Sequence, residues 1–226
     1  MNTASIPLLR AGRQRRARRG VAALEAALIL PLMIFIIIGG AEMYLYTRVS
    51  AVMDRIAFTV ANSISMQTEL IDDGACTAPD HLCTYGTIMP TLLTPLDADK
   101  AAVIISVYTT DRPTSGTPTA WTSISSPNHG WTRTVYKGAG IATPTSHVSA
   151  GSLPPAIISA NTQTADTVIA VELFYDYQPF AISGAFFNLL FSPHRYSRAL
   201  IRPRYADLCR LTDPNDPAPA NAICGS

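Results

Sequence analysis

The first third of the chain carries two successive hydrophobic patterns. Residues 21–41, VAALEAALILPLMIFIIIGGA, are apolar except for Glu25. At a rise of roughly 1.5 Å per residue, a helix of this length extends about 31 Å, which is enough to cross the hydrocarbon core of a membrane. Since no second apolar run of this length follows, the sequence predicts a single membrane-crossing helix.

Helical periodicity continues beyond the apolar run. Between Glu42 and Leu70 the chain has no proline or glycine, and its hydrophobic residues recur every three to four positions. This spacing places them on one face of an amphipathic helix. The hydrophobic face comprises Leu45, Val49, Val52, Met53, Ile56, Val60 and Ile64, and the polar face comprises Arg48, Asp54, Arg55, Thr59 and Asn62. The pattern predicts one helix over residues 21–70, ended by the turn sequence at residues 72–74.

After the helix, the pattern changes to the alternation that is typical of short strands. Strands are predicted at residues 101–109, 132–137, 167–177 and 197–204. In the third strand, Ile169, Val171 and Leu173 lie on one face, because successive side chains of a strand point to opposite sides. One side of the fourth strand carries Arg198, Arg202 and Arg204.

The segments between the predicted strands are long. Residues 111–126 and 138–155 are rich in Thr, Ser, Pro and Gly, and loops of this length indicate display or partner contact. Residues 180–191 are unusually apolar. They predict a short helix or loop packed on the sheet, and an exposed patch for a neighbouring subunit or the membrane is the alternative. The predicted fold class is α+β, a long transmembrane and then amphipathic N-terminal α-helix followed by a small antiparallel β-sheet domain with long loops.

Charge is distributed unevenly along the chain. The first twenty positions contain no acidic residue and six arginines, Arg10, Arg13, Arg15, Arg16, Arg18 and Arg19. Without these six of its 17 basic side chains, the chain has 11 basic against 16 acidic residues. A uniformly basic nucleic-acid-binding protein does not divide its charge in this way. Basic residues beside a membrane helix stay in the cytoplasm, which predicts a basic cytoplasmic leader at residues 1–20, the helix at 21–70 and a translocated β-rich domain at 71–226.

All four cysteines follow the predicted membrane helix. They are Cys76, Cys83, Cys209 and Cys224. An even number in an oxidising compartment favours two disulfides. Three pairings are possible, and Cys76–Cys83 with Cys209–Cys224 is preferred because each closes a short loop. Free thiols are one alternative, and a zinc site with His81 is another, although the chain has no C-x-x-C pair.

No sequence motif of an enzyme is found. The chain has no G-x-S-x-G, H-E-x-x-H or P-loop sequence. Residues 138–143 begin like a dinucleotide-binding fingerprint, but Thr143 replaces the third glycine and Pro144 prevents the helix that must follow. The histidines, His81, His129, His147 and His194, are scattered through predicted loops. We expect no enzymatic activity and no cofactor, and a periplasmic hydrolase assembled from distant residues is the alternative.

The junction between the leader and the apolar run has a distinctive sequence. Arg18-Arg19-Gly20-Val21, with Glu25 at the fifth position after Gly20, resembles class III prepilins and pseudopilins of the type IV filament superfamily. Residues 19–32, RGVAALEAALILPL, resemble the TadE-like segment R-G-x-A-A-x-E-F-A-x-x-x-P. The resemblance covers residues 18–50 and, more loosely, the strand at 168–177. Ala26 stands where Flp-type pilins often carry an aromatic residue, and the chain is much longer than a major pilin, which favours a minor pilin or pseudopilin.

The resemblance implies a function and a set of site residues. A prepilin peptidase would cleave between Gly20 and Val21, after the leader charges Arg15, Arg16, Arg18 and Arg19. The Glu25 carboxylate would then pair with the new α-amino group on an adjacent subunit, so that each charge offsets the desolvation of the other. The implied protein is a pilin-like minor pilin or pseudopilin of a Tad (Flp-type) pilus, acting in biogenesis, initiation or adhesion. Its partners are the major pilin and the other minor pilins, and its location is the bacterial inner membrane with a periplasmic domain, or the extracellular pilus.

Three alternatives use the same residues. Glu25 could sit near the cytoplasmic end of the helix, where it reaches interfacial water or a leader arginine. The chain could remain an uncleaved TadG-like envelope protein. Finally, the small residues Gly39-Gly40-Ala41 resemble a signal-peptidase site, which would release a secreted protein that begins at Glu42.

Overall fold

The computed structural model describes residues 8–110, 120–122, 130–156, 165–179, 192–204 and 208, with side chains described from Leu24 onward. The elements are helices α1 (Leu8–Ser65) and α2 (Leu82–Leu93) and strands β1 (Ala101–Thr109), β2 (Gly130–Lys137), β3 (Thr167–Asp176) and β4 (His194–Ile201). Single 3-10 turns lie at Ala98–Lys100 and Ala150–Ser152. The predicted α+β class is confirmed, since a long N-terminal helix is followed by a small antiparallel sheet.

The four strands form one sheet in the order β2-β1-β3-β4, and every neighbouring pair is antiparallel. β1 has the predicted limits, while β4 begins three residues earlier than predicted and ends at Ile201. Ile201 pairs with Ile169 near the start of β3, and the chain then turns toward α1, where Arg204 N donates to Ser65 O at 2.9 Å. The prediction that Arg198, Arg202 and Arg204 share one side of a strand is therefore wrong, because the last two follow the strand.

The second half of α1 packs along one face of the sheet, parallel to β4. Its buried residues are Val49, Met53, Ile56, Val60 and Ile64, and the facing strand residues include Val103, Ile105, Val107, Ile169, Val171 and Leu173. The predicted apolar faces of the helix and of the third strand are confirmed. Burial of this many large side chains is the main source of stability in a domain of this size.

Helix α2 was not predicted. It adds Leu82, Tyr85, Met89 and Leu93 to the same core. Gly86 lets α2 approach β2 closely, since a Cβ atom at this position would lie 2.4 Å from Val135 O. A glycine is therefore required there for packing and not for a turn.

The limits of α1 differ from the predicted residues 21–70. The helix already includes the leader from Leu8 onward, because arginine, alanine and leucine are strong helix formers. It ends at Ser65, five residues early. Beyond it, the chain leaves the helical path so that Leu70 reaches the core and Ile71 pairs with the segment before α2 through Ile71 N to Asp80 O at 2.9 Å.

The loop from β2 to β3 covers the second face of the sheet. Ile141 and Val148 are buried there, and Tyr108 Oη donates to Val148 O at 2.8 Å. Trp121 Nε1 donates to Pro154 O at 2.7 Å at the end of the same loop. This segment therefore contributes a few buried residues to the domain's own packing, while most of its residues are exposed. Its role in display or partner contact stays a prediction.

Several predicted features lie outside the described residues. These are most of the loop at residues 111–126, the apolar stretch at 180–191, His129, Cys209 and Cys224.

Candidate functional site

The first half of α1 carries an apolar surface that is exposed on every side. From Leu24 the helix is long and apolar enough to cross a membrane, with a best window of mean hydropathy 2.3, none of which is buried. Leu28 is 70% exposed and Ile37 is 64% exposed, although they lie on different sides of the helix. A membrane anchor and a signal sequence near an N-terminus share these features, so the length and composition of the helix fit either one.

The predicted processing and assembly residues all lie in this half of α1. Gly20 and Val21 are within the continuous helix, as are the leader residues Arg15, Arg16, Arg18 and Arg19, whose side chains are not among those described. Glu25 is exposed and lies four residues after Val21, on the same helical face. Within the described part of the chain, no ion pair involves Glu25.

The apolar surface gives way to the folded domain at Glu42, without a linker. The side chain of Glu42 is fully buried, and Tyr177 Oη donates to Glu42 Oε1 at 2.6 Å. The ring of Tyr46 packs edge-to-face on the ring of Tyr177, with centroids 5.7 Å apart. A buried carboxylate of this kind is stable only with hydrogen-bond donors around it. Sequence reasoning missed Glu42 as a contact residue, although its position on the same helical face as Leu45 and Val49 was a signal.

Glu42 begins a polar row that repeats every four residues along α1. The row, called the junction row below, comprises Glu42, Tyr46, Ser50 and Asp54. The Arg195 guanidinium of β4 donates to Tyr46 Oη and Ser50 Oγ, and its Cζ lies 4.0 Å from the centroid of the Tyr46 ring.

Two residues of the predicted polar face of α1 also contact β4 and the residues that follow it. Ser197 Oγ donates to Asp54 Oδ1 at 2.6 Å. Farther along, Arg204 Nη2 donates to Asn62 Oδ1 at 3.2 Å. Asp54 is exposed and Asn62 is partly exposed, as expected for the polar face of α1, and both also bond to the sheet side of the domain. These directional bonds fix the position of α1 along the sheet, which hydrophobic contacts alone do not specify.

A second buried carboxylate holds the loop on the other face of the sheet. Glu172 accepts from His147 N at 2.8 Å, from Tyr196 Oη at 2.9 Å and from Ser146 Oγ. The ring of His147 packs on Phe174 and Tyr196, with centroids 5.3 and 4.8 Å away. Because Ser146 donates to the carboxylate and not to a histidine, the group lacks the nucleophile–base contact of a hydrolase. Its geometry is that of a structural clamp.

A disulfide closes the turn between α1 and α2. It joins Cys76 and Cys83, with Cα atoms 5.0 Å apart, and is the pairing that the sequence favours. His81 Nδ1 lies 2.8 Å from Asp73 Oδ1, and the hydrogen bond with His81 lowers the pKa of Asp73. The sulfurs are joined to each other and His81 is engaged by Asp73, so these residues do not form the alternative zinc site.

Comparisons with known proteins found no relative. No family model, no curated protein and no solved structure matches the chain. The functional proposal therefore depends on the residues and contacts of this chain.

The two buried tyrosine–carboxylate contacts predict a loss of stability at alkaline pH. Burial raises the pKa of Tyr177, and the hydrogen bond to Glu42 raises it further. Burial and Glu172 raise the pKa of Tyr196 in the same way. The folded chain holds these protons more tightly than the unfolded chain does, where the tyrosine pKa is about 10. Their contribution is complete below about pH 10 and is lost as the pH rises above that value.

We expect Tyr177→Phe to lower the free energy of unfolding at neutral pH by about 1.5–3 kcal/mol, because Glu42 loses a buried donor. The difference from wild type should shrink above about pH 10, since phenylalanine cannot ionise. Urea unfolding of the full-length protein in detergent measures both effects. Tyr44→Phe is the control, because Tyr44 is 64% exposed on the same helix. Equal stability of Tyr177→Phe and wild type at neutral pH would contradict the importance of this contact.

Proposed function

We propose that this protein is a minor pilin or pseudopilin of a Tad (Flp-type) type IV pilus, anchored in the bacterial inner membrane by the first half of α1. The residues after the anchor form a periplasmic domain that acts in pilus biogenesis, initiation or adhesion. No catalytic activity, cofactor or nucleic acid is part of the proposal. Its partners are the major pilin, the other minor pilins and the prepilin peptidase.

One observation carries the proposal. α1 is a single continuous helix whose first half is apolar and exposed, and whose second half packs on a four-stranded antiparallel sheet. A subunit of this shape can be held in a membrane and then be moved into a helical bundle without refolding, because the same apolar surface contacts lipid or neighbouring helices. The resemblance of residues 18–50 to TadE-like proteins assigns this shape to a pilus.

Glu25 has a defined role in this mechanism. An acidic side chain at the centre of a membrane costs about 2.5–3.5 kcal/mol, and acidic residues within a span are usually paired. Cleavage after Gly20 would create a cationic partner, the α-amino group of Val21. An isolated charge of either sign in the apolar bundle is unfavourable, whereas the pair formed between adjacent subunits offsets both desolvation costs. Pairing would therefore favour assembly over the free, membrane-held subunit.

The two alternatives predict different N-termini. An uncleaved TadG-like envelope protein retains Met1, and cleavage by signal peptidase leaves Glu42 at the N-terminus. The second event would place a positive α-amino group on the residue whose carboxylate is buried against Tyr177. The pseudopilin proposal predicts Val21.

We expect Gly20→Leu to block maturation, because a bulky side chain replaces the glycine at the proposed cleavage site. The membrane fraction should then contain only the full-length precursor on an immunoblot, and pili should be absent. Gly12→Leu is the matched control, since it makes the same substitution within the leader but away from the junction. A Gly20→Leu protein of the same size as mature wild type would show that cleavage occurs elsewhere.

A further inference from the structure

A cavity of about 240 Å³ lies where the apolar half of α1 meets the domain. We call it the junction cavity. Leu45, Val49 and Leu96 supply apolar walls, and Arg48, Tyr175 and Gln178 are among its polar residues. Sites for drug-sized ligands are larger, at roughly 300–1,000 Å³. The junction cavity therefore suits a small polar group attached to an apolar stem.

Two charged side chains line the junction cavity: the carboxylate of Glu42, which accepts from Tyr177 Oη, and the guanidinium of Arg48, which can bind an anion. The Arg48 side chain is exposed, and within the described part of the chain its guanidinium has no hydrogen-bond or ion-pair partner. A second cation is close to the wall, because Lys100 Nζ donates to Gln178 Oε1 at 2.9 Å. Lys100 is also 3.2 Å from Asp97 Oδ2, so part of its charge is compensated. Arginine binds phosphate oxygens through two parallel N–H donors, which makes a phosphate group the best match.

The position of the cavity along α1 indicates where that phosphate comes from. Its helical wall begins at Glu42, directly after the apolar run, and ends at Val49. These residues span roughly 11 Å along the helix axis, beginning at the edge of the hydrocarbon core and covering the headgroup layer, which is roughly 5–7 Å deep on each side. The Cα–Cβ bond of Arg48 is also tilted toward the N-terminus of the helix, as in every α-helix. Tyr44 and Met43, 64% and 45% exposed, supply the amphipathic surface that is typical of this layer.

We propose that the junction cavity binds the phosphodiester headgroup of one membrane phospholipid, with Arg48 on the phosphate and Leu45, Val49 and Leu96 on the adjoining glycerol and acyl carbons. The site seats the domain on the membrane surface at a fixed height, since Glu42 leaves no flexible spacer between span and domain. The inference depends on the proposed membrane anchoring of α1. It does not depend on cleavage at Gly20 or on pilus assembly.

The test is native mass spectrometry of the full-length protein, purified in dodecyl maltoside and titrated with dioleoyl phosphatidylglycerol. Wild type is expected to retain one lipid, and Arg48→Gln to bind it about tenfold more weakly, because one charge-assisted contact is lost. Arg55→Gln is the matched control: Arg55 is exposed on the same helix, seven residues farther from the membrane. It should bind as wild type does.

Three results would overturn the site: no retained lipid in wild type, equal affinity of the Arg48 and Arg55 variants, or displacement of the lipid by inorganic phosphate at millimolar concentration. The last result would identify a free-phosphate site. Carbonate extraction of cell membranes separates this failure from failure of the proposed function. Wild-type protein that stays in the extracted membrane but binds no lipid contradicts the junction cavity alone, whereas release of the protein contradicts the anchor on which both depend.

Discussion

Replacement of Glu25 by alanine is expected to leave the protein in the membrane and to abolish pilus assembly. The substitution removes an acidic group from the apolar half of α1, so insertion becomes easier by at most about 2.5–3.5 kcal/mol, the cost at the centre of a span. It also leaves the α-amino group of Val21 without its partner in the bundle. If the pair contributes a similar free energy to assembly, incorporation of the subunit falls by about 100-fold. Counting surface pili in a strain without the wild-type copy measures this effect.

Two further variants serve as controls. One separates the charge of Glu25 from its size, and the other tests whether the loss of any acidic residue has the same effect. Glu25→Gln keeps the shape but not the charge, and should lose pili as Glu25→Ala does. Glu69→Ala removes an exposed acidic residue just beyond the end of α1 and should leave pili unchanged. Membrane fractionation must show all three proteins at wild-type amounts. Normal pili in the Glu25→Ala strain would contradict the pairing mechanism.

Replacement of Glu172 by alanine is expected to cause the largest loss of stability. The side chain is fully buried and accepts bonds from Ser146, His147 and Tyr196. Alanine leaves these donors without their acceptor and leaves a cavity under the loop, with an expected cost of about 3–5 kcal/mol. Urea unfolding of the full-length protein, followed by tryptophan fluorescence, measures the loss.

The two tryptophans of the chain make this experiment specific for the loop. Trp121 donates to Pro154 O in the loop that Glu172 holds, whereas Trp131 donates to Leu208 O at 3.0 Å on the other side of the sheet. With Trp131→Phe as the background, Trp121 reports the loop alone. Glu172→Gln retains an acceptor oxygen and should cost only about 1 kcal/mol. If Glu172→Ala and Glu172→Gln lower the free energy of unfolding equally little, the carboxylate does not hold the loop.

Local periodicity was sufficient to predict most of the fold. β1 has the limits that its hydrophobic run indicates, and the face of α1 from Val49 to Ile64 is the face that the three- to four-residue spacing selects. Both elements bury a continuous apolar surface, so the sequence pattern and the packing carry the same information. Helix α2 escaped prediction because Gly86 and Pro90 lower its helical propensity. Its apolar residues at positions 82, 85, 89 and 93 follow the helical period and could have identified it.

The candidate site was less predictable because its contacts are distant in sequence. Tyr177 lies 135 residues from Glu42, and Arg195 lies 149 residues from Tyr46. An acidic residue after an apolar run is ordinarily solvated at the membrane surface, and only the sheet brings a donor to it. The packing of the loop between β2 and β3 could not be predicted either. Its composition is mostly polar, so neither its few buried residues nor its contacts with Glu172 stand out in the sequence. The basic leader and Glu25 stand out from composition alone, whereas their proposed roles come from the resemblance and concern other molecules.

The most direct test of the proposed function is the N-terminal residue of the protein in its final location. Pili sheared from cells and the corresponding inner-membrane fraction should be analysed separately by mass spectrometry of the N-terminal peptide. Val21 is expected as the first residue in the pilus fraction, and the precursor that begins in the leader is expected only in the membrane. A protein found only with Met1 in the membrane, or released with Glu42 as its first residue, would contradict the proposal that it is a processed pilus subunit.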